Sequence, residues 1–327
     1  MVELARELKS AVLPTSDPTE LAQWFHRGAQ RGNLTEYLEG FSHTIAVMQT
    51  REGLERVAFE SLEDMSLDGV IHAEVRFAPV FHTSRGLTQD EVVRAVIAGL
   101  ENAARQFGAT WGLIICAMRD RTDSLDAAKP AIRWRDQGVV GFDLAGGEDG
   151  FPPKQHLDAF QAIQRSNFNI IIHAGEADGM DSIWQALQYC GAHRLGHGTR
   201  PLDDITINSD GSLKLGTLAR FVLDHRIPLE MCLSSDVHTG TCKDFKSHPY
   251  PLFLKAGFRV FLNTDDRLMS DTEMSKELAI ATEVFDLTLH DLEKMTLNAA
   301  KISFAHHRDR VQLIDQIIIP LFRELSR

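Results

Sequence analysis

The chain has 327 residues, of which 43% are hydrophobic, and its formal net charge is −12 at pH 7. This length suits one large α/β barrel or two ordinary domains. The negative charge, without a cluster of Lys or Arg, argues against nucleic acids and anionic membranes as partners, and no apolar run approaches the length of a membrane span.

The four cysteines are scattered and include no C-x-x-C pair: Cys116, Cys190, Cys232 and Cys242. This pattern is typical of reduced thiols in a cytoplasm and offers no zinc-knuckle spacing. The N-terminus has no basic and apolar pattern of a signal peptide. We therefore expect a cytoplasmic protein with a small neutral or cationic ligand, and its oligomeric state is left open.

The N-terminal portion, about 1–67, has the periodicity of helices. Five apolar side chains recur on one face at helical spacing: Leu54, Val57, Ala58, Leu62 and Met65. No repeat, low-complexity tract or Pro/Ser-rich linker interrupts the chain. We therefore expect a single domain over 1–327 that begins with this helical portion.

Seven short apolar runs follow, separated by amphipathic stretches with helix start signals at Thr88 and Thr288. The runs cover residues 70–77, 111–118, 139–145, 168–174, 193–198, 227–235 and 258–266. They are nearly continuous in apolar residues, as parallel strands buried on both faces are. This alternation predicts an α/β fold, a (β/α)8 barrel of the TIM type that lacks its first strand. An open doubly wound sheet is the alternative, but no G-x-G-x-x-G follows an early strand.

Polar side chains stand where several of these runs end, which is the end at which barrel enzymes assemble their sites. His173 closes a buried run, and Glu176 follows it after an Ala-Gly turn. His197 lies between two glycines, and Asp265 and Asp266 close the last run. Each has an ordinary structural alternative, such as a helix-capping Asp. Together, imidazole and carboxylate groups at one end predict a site for a divalent metal.

The chain resembles the adenosine deaminases of the amidohydrolase superfamily in four motifs that occur in the same order: "HAGE", "RLGHG", "SSDVHTG" and "NTDDRLMS". The resemblance extends through "EVRFAP", "GLTQDEVV", "FDLAGGE" and "NAAKISF" and covers nearly the entire chain. It implies a barrel hydrolase that deaminates adenosine and deoxyadenosine, releasing ammonia and leaving inosine from adenosine. A zinc-activated water would attack C6 of the purine, because zinc lowers the pKa of bound water to ~7.

The resemblance also implies a role for each matching residue. His173 and Asp265 would be zinc ligands. Glu176 would hand a proton to ring N1, which requires a pKa raised by partial burial. His197 would orient the attacking water and stabilise the charge that develops on it. In the substrate pocket, Asp266 would act as a hydrogen-bond acceptor at N7, and the backbone N–H of Gly146 would reach N3.

The sequence departs from the family in the metal site. The family has an H-x-H pair on its first strand, but no two of the 14 histidines here are separated by one residue. We therefore expect that one zinc binds per chain at an incomplete site, with two ligands absent. Three explanations are open: a true start about twenty residues upstream, which we favour; a truncated protein with little or no activity; or replacement of the strand by another segment.

Two smaller departures affect the pocket. The family loop often reads C-P-x-S-N, where this chain has Cys232-Leu233-Ser234-Ser235-Asp236, and Arg267 stands where a Pro usually follows the two aspartates. They leave alternatives for the function: deamination of a related aminopurine (adenine, an AMP-like nucleotide or a modified adenosine), or a truncated, non-catalytic purine-binding protein. The −12 charge disfavours a phosphate-bearing substrate.

Overall fold

The structure is a computed structural model, and it describes residues 1–9 and 13–327. The described part contains seven parallel strands and a two-stranded antiparallel hairpin. The strands are β1 (His72–Phe77), β2 (Thr110–Met118), β3 (Val139–Ala145), β4 (Ile171–Ala174), β5 (Arg194–His197), β6 (Ile205–Ile207), β7 (Leu213–Leu215), β8 (Pro228–Met231) and β9 (Arg259–Leu262).

Helices precede the first strand and alternate with the others. Before β1 they are α1 (Val2–Glu7), α2 (Pro18–Ala29), α3 (Leu34–Leu38), α4 (Phe41–Val47) and α5 (Arg51–Leu67). After β1 they are α6 (Gln89–Phe107), α7 (Ser124–Arg133), α8 (Leu157–Arg165), α9 (Met180–Gln188), α10 (Thr217–Asp224), α11 (Leu233–His238), α12 (Tyr250–Ala256), α13 (Arg267–Ser270), α14 (Met274–Phe285), α15 (Leu289–Ile302), α16 (His307–Gln312) and α17 (Ile319–Leu325). A π-helical turn, Leu313–Ile318, joins the last two.

Both predicted helix start signals are confirmed as capping boxes. Thr88 accepts the backbone N–H of Glu91 at the start of α6, and Thr288 accepts that of Asp291 at the start of α15. In each case the acidic side chain accepts the threonine's own backbone N–H in return. These exchanges satisfy donors that a helix N-terminus otherwise leaves without partners.

The predicted parallel strands are confirmed, and they form two ladders. One has the order β1-β2-β3, the other β4-β5-β8-β9, and a single bridge between Phe142 and Ile170 joins them. Because all seven strands run in one direction, their carboxyl ends share one end of the sheet. Within the described ranges, β1 and β9 are edge strands with no ladder between them. A cavity of about 570 Å³ lies between these two edges, and Asp265 and Asp266 are among the residues that line it.

Two predicted strands are too long at their carboxyl ends. The sequence predicts strands over 227–235 and 258–266, but β9 ends at Leu262 and β8 ends at Met231, followed by α11 from Leu233. Asp236 closes a helical turn directly after the strand, because its backbone N–H donates to the Cys232 carbonyl at 2.7 Å. Its carboxylate accepts the Cys232 N–H at 3.2 Å. The apolar character of Cys232 and Leu233 conceals this change of structure from a periodicity argument.

Close packing ties the N-terminal helices to the barrel wall. Helices α5 and α6 cross at Gly99, where an added Cβ would lie 2.2 Å from the backbone oxygen of Glu55. One continuous cluster of buried apolar side chains runs from Leu54 on α5 through the strands to Met295 on α15. Among the described residues, no helix is both long enough and apolar enough to cross a membrane.

Candidate active site

Three predicted residues meet at the carboxyl ends of the strands. His173 lies in β4, His197 ends β5, and Asp265 follows β9. One ligand-capable atom from each lies within 4.8 Å of the others, close enough to surround a single metal ion. Two imidazoles and a carboxylate form a donor set that suits a divalent cation.

The neighbouring strand and a buried carboxylate fix the ring of His173. Nδ1 lies 3.0 Å from a carboxylate oxygen of Asp143, a fully buried residue of β3. In the β4–β5 ladder His173 pairs with Gly196, where an added Cβ would lie 3.2 Å from the imidazole Cγ. The glycine therefore provides room for the ring. With Nδ1 bound to Asp143, Nε2 is the nitrogen left to coordinate a metal.

The guanidinium group of Arg76 lies beside this nitrogen. The guanidinium Nη1 of Arg76 lies 3.3 Å from His173 Nε2 and 3.3 Å from Asp143 Oδ2. Burial raises the pKa of Asp143, but His173 and Arg76 outweigh it, so the net pKa lies below its usual range. The pocket thus holds an ionised carboxylate behind the candidate ligand, and the residues present fit a cation.

A second buried carboxylate holds His197 in the same manner. Nδ1 of His197 lies 2.8 Å from Asp236 Oδ1, while Nε2 faces Glu176 Oε2 at 3.6 Å and Asp265 Oδ2 at 4.0 Å. The other oxygen of Asp236 lies 3.0 Å from His248 Nε2. Burial lowers the pKa of His197, but the carboxylates of Glu176 and Asp236 outweigh burial, and the net pKa lies well above its usual range. The buried carboxylate of Asp236, whose own pKa is lowered, thus favours the imidazolium form of His197.

Glu176 has the opposite character, since it is held as a neutral acid. Only 4% of its surface is exposed, and burial raises its pKa to about 8, despite the lowering effect of His197. The carboxylate of Glu148 fixes the turn that carries Glu176 by accepting the backbone N–H groups of Gly175, Glu176, Ala177 and Asp178 at 2.7 to 2.9 Å. This turn is therefore rigid, and it presents a proton donor to the site.

The two adjacent aspartates contact different side chains. Asp265 accepts a hydrogen bond from Ser235 Oγ at 2.8 Å, and Asp266 accepts one from the Tyr37 hydroxyl at 3.4 Å. Burial raises the pKa of Asp266, and the charge of Asp265 raises it further. Asp266 is the N-cap residue of α13, but its side chain makes no capping hydrogen bond. The helix-capping alternative therefore does not account for it.

Gly146 follows β3 at the same end of the sheet. Its φ is +99°, a backbone conformation that glycine adopts without strain, and an added Cβ would lie 3.1 Å from Met118 Cε. The structure thus brings all six predicted site residues to the carboxyl ends of β3, β4, β5 and β9. They come from four separate stretches of the sequence.

Sequence reasoning missed the residues that support this group. Arg76, Asp143 and Glu148 stand inside the motifs "EVRFAP" and "FDLAGGE", so a polar residue within an apolar run was the available signal. Tyr37 lies in the N-terminal helices, 229 positions from Asp266, and nothing in the local sequence indicates that contact.

A family model described as "Adenosine deaminase" matches residues 1–320. A protein from Streptomyces coelicolor named adenosine deaminase 1 is 50% identical over 331 residues, and the match covers 100% of this chain and 84% of that protein.

Solved structures share the fold. Adenine deaminase from Arthrobacter aurescens has a TM-score of 0.84 and 24% identity, covering 98% of this chain and 93% of that one. An amidohydrolase from Burkholderia ambifaria, solved with bound Zn, has a TM-score of 0.83 and 21% identity, covering 99% and 86%. These identities support the fold alone, and they confirm the predicted α/β fold of the TIM-barrel amidohydrolase type.

Proposed function

This chain belongs to the adenosine deaminase family and hydrolyses adenosine to inosine and ammonia; from that premise we propose the part that each residue of the site plays. The family is metal-dependent, and we assign zinc as the metal, with His173 and Asp265 as its ligands in this chain. The ligand atoms of these two residues lie within 4.8 Å of each other, and the Asp143 carboxylate behind His173 also supports this choice. Bound zinc supplies a water molecule acidic enough to act as a nucleophile near neutral pH.

His197 is assigned to the water and not to the metal. Asp236 holds its Nδ1 at 2.8 Å and favours the charged form, which suits a group that donates to the water. Its Nε2–H faces the space between Glu176 and Asp265. From there it orients the attacking water and stabilises the negative charge that develops on the oxygen.

Glu176 is the general acid. Its pKa of about 8 leaves it protonated at neutral pH, so it can donate a proton to purine N1 and make C6 more electrophilic. Once that proton has left, the carboxylate lies 3.6 Å from the His197 imidazolium. That ion pair stabilises the charged form of Glu176 only after the transfer.

The purine is held by Asp266 and Gly146, with one change of role from the prediction. Ring N7 carries a lone pair and no hydrogen, so Asp266 cannot be the acceptor there. Its raised pKa favours the protonated acid, which donates to N7 while its other oxygen accepts from Tyr37. The backbone N–H of Gly146 donates to N3. These contacts address the base alone, so deoxyadenosine is also a substrate.

The observation that carries these assignments is a neutral acid, Glu176, held beside a charged imidazole at the point where the candidate metal ligands meet. We would test it by following conversion of adenosine to inosine by absorbance for Glu176→Gln and for an exposed control, Glu283→Gln. General-acid catalysis is worth about 10²- to 10⁴-fold, so Glu176→Gln should lose that factor with unchanged zinc content. An unchanged rate would overturn the role of Glu176, and a clear preference for AMP over adenosine, deoxyadenosine and adenine would overturn the choice of substrate.

Two broader assignments accompany this function. The buried cluster that joins α5 to the strands and α15 supports a single domain over 1–327. The four cysteines are free and buried, which supports a reducing, cytoplasmic location. Limited proteolysis and fractionation of the producing cells would test the two assignments.

A further inference from the structure

A second cavity, of about 520 Å³, opens at the amino-terminal ends of the strands. Its wall is formed by residues that precede or begin β4, β5, β8 and β9, together with the end of α15 and the start of α16. Because the strands are parallel, this is the opposite end of the sheet from Glu176 and Asp265. Whatever occupies this cavity is therefore not the deaminated purine.

Basic side chains dominate the wall, and no Asp or Glu is among the described residues that line it. Four of the lining residues carry a fixed positive charge, Arg226, Arg259, Lys301 and Arg310, and four more are histidines, His193, His225, His306 and His307. Such a concentration is unusual in a chain whose net charge is −12, because mutual repulsion disfavours it unless an anion is present.

The arginines are bound to the protein through carbonyl groups. Arg226 Nη1 donates to the Gly257 carbonyl, and Arg310 Nη1 donates to the Lys301 carbonyl at 2.7 Å. A carbonyl satisfies one N–H group but leaves the positive charge uncompensated. Nε of Arg310 is buried and has no hydrogen-bond partner among the described residues. These contacts orient the guanidinium groups and leave donors for a ligand.

Two of these guanidinium groups, those of Arg226 and Arg259, also lie close to each other. Arg259 is partly buried in the wall, and burial lowers its pKa, with a further lowering from Arg226. Like charges that destabilise each other in a concave site are relieved by a shared counterion. Arginine forks match the oxygen atoms of phosphate with two parallel hydrogen bonds, so a phosphate group is the anion that fits best.

We propose that this cavity binds the phosphate group of a small molecule with two or more negative charges. The volume falls within the usual range for small-ligand pockets. Bound there, the phosphate joins the strand ends at Arg226 and Arg259 to the helical start at Arg310. The site is separate from deamination, and it stands whether or not the catalytic assignments hold.

Isothermal titration calorimetry of the full chain would test this, using inorganic phosphate, pyrophosphate and ribose 5-phosphate at constant ionic strength. The key variant is Arg226→Gln/Arg259→Gln. Its control is Arg165→Gln/Arg220→Gln, which removes two exposed arginines outside the cavity. We expect pyrophosphate to bind more tightly than phosphate, and the cavity variant to lose at least tenfold in affinity while the control retains it. If ribose 5-phosphate binds more tightly than pyrophosphate, the ligand is a phosphate ester. If pyrophosphate binds more tightly than ribose 5-phosphate, the ligand is an inorganic polyphosphate.

A single change at the cavity rim keeps the test decisive if the double variant folds poorly. Lys301→Gln removes an exposed ammonium group and leaves the backbone carbonyl that Arg310 contacts. We expect about a threefold loss of pyrophosphate affinity, with the rate of adenosine deamination unchanged. The absence of phosphate or pyrophosphate binding by the wild-type chain, or equal losses in the cavity and control variants, would overturn the proposal.

Discussion

Replacing Asp236 by alanine should slow catalysis without weakening substrate binding. Asp236 is fully buried, and its carboxylate lies 2.8 Å from His197 Nδ1 and 3.0 Å from His248 Nε2. Its route to the attacking water is through His197. Burial raises the pKa of Asp236, but His197 and His248 outweigh that effect, so the carboxylate is ionised at neutral pH. Its removal leaves Nδ1 of His197 without its carboxylate partner.

The magnitude follows from that one contact. A hydrogen bond to a charged group contributes about 1.5–3 kcal/mol, and about 1.4 kcal/mol corresponds to a tenfold change in rate. We therefore expect kcat of Asp236→Ala to fall by roughly 10- to 100-fold, with KM changed by less than about twofold. Asp236→Asn keeps an acceptor for one imidazole, so it should lose less than about tenfold.

The assay is steady-state deamination of adenosine, combined with thermal unfolding and zinc content for each variant. Asp244→Ala is the matched control, because this carboxylate belongs to the next turn of the same loop and caps only the backbone N–H of Ser247. A folded, zinc-loaded Asp236→Ala enzyme with wild-type kcat would refute the reasoning that Asp236 controls the charge and orientation of His197. An equal loss in Asp244→Ala would show a general effect of the loop.

Three further predictions rest on single features of the site. Because Glu176 must be protonated to act and its pKa is raised to about 8, kcat/KM should fall about tenfold per pH unit above that value. A value of kcat/KM that does not change up to pH 10 would contradict this. Gly196→Ala places a Cβ 3.2 Å from the His173 ring, so zinc affinity measured by dialysis should fall by roughly tenfold. The control is Gly147→Ala, whose added Cβ meets no atom within 4 Å, and it should leave the zinc affinity unchanged. The two carboxylate oxygens of Glu148 together accept four backbone N–H groups, and Glu148→Gln removes one of these oxygens. The free energy of unfolding, measured with denaturant, should fall by about 2 kcal/mol. An unchanged unfolding midpoint would contradict this prediction.

The strands could be predicted from the sequence because parallel strands buried on both faces form continuous apolar runs. Val139–Ala145 matches the predicted range at both ends. The start of α11 could not be predicted, since Cys232 and Leu233 are as apolar as the strand before them. The hydrogen bond between Asp236 and the Cys232 carbonyl decides that boundary, and periodicity does not register it.

The same distinction applies to the site. His173, His197 and Asp265 were predictable, because side chains at the ends of parallel strands must meet at one end of the sheet. Their supporting partners were not. Asp143 reaches His173 only through the order of the strands, and Asp236 reaches His197 across 39 positions of sequence. The protonation of Asp266 could not be predicted from the sequence either, because burial and the charge of Asp265 together raise its pKa.

The backbone at His197 and Asp265 links the placement of the site to folding stability. Both residues have positive φ, +59° and +52°, in the left-handed region that costs a residue other than glycine on the order of 1 kcal/mol, although Asp and His enter it more readily than most. The surrounding structure must therefore be stable enough to hold both residues in this conformation. Glycine at either position would relax the backbone but would remove an imidazole or a carboxylate from the site, so the side chains are placed at the expense of a small part of the chain's stability.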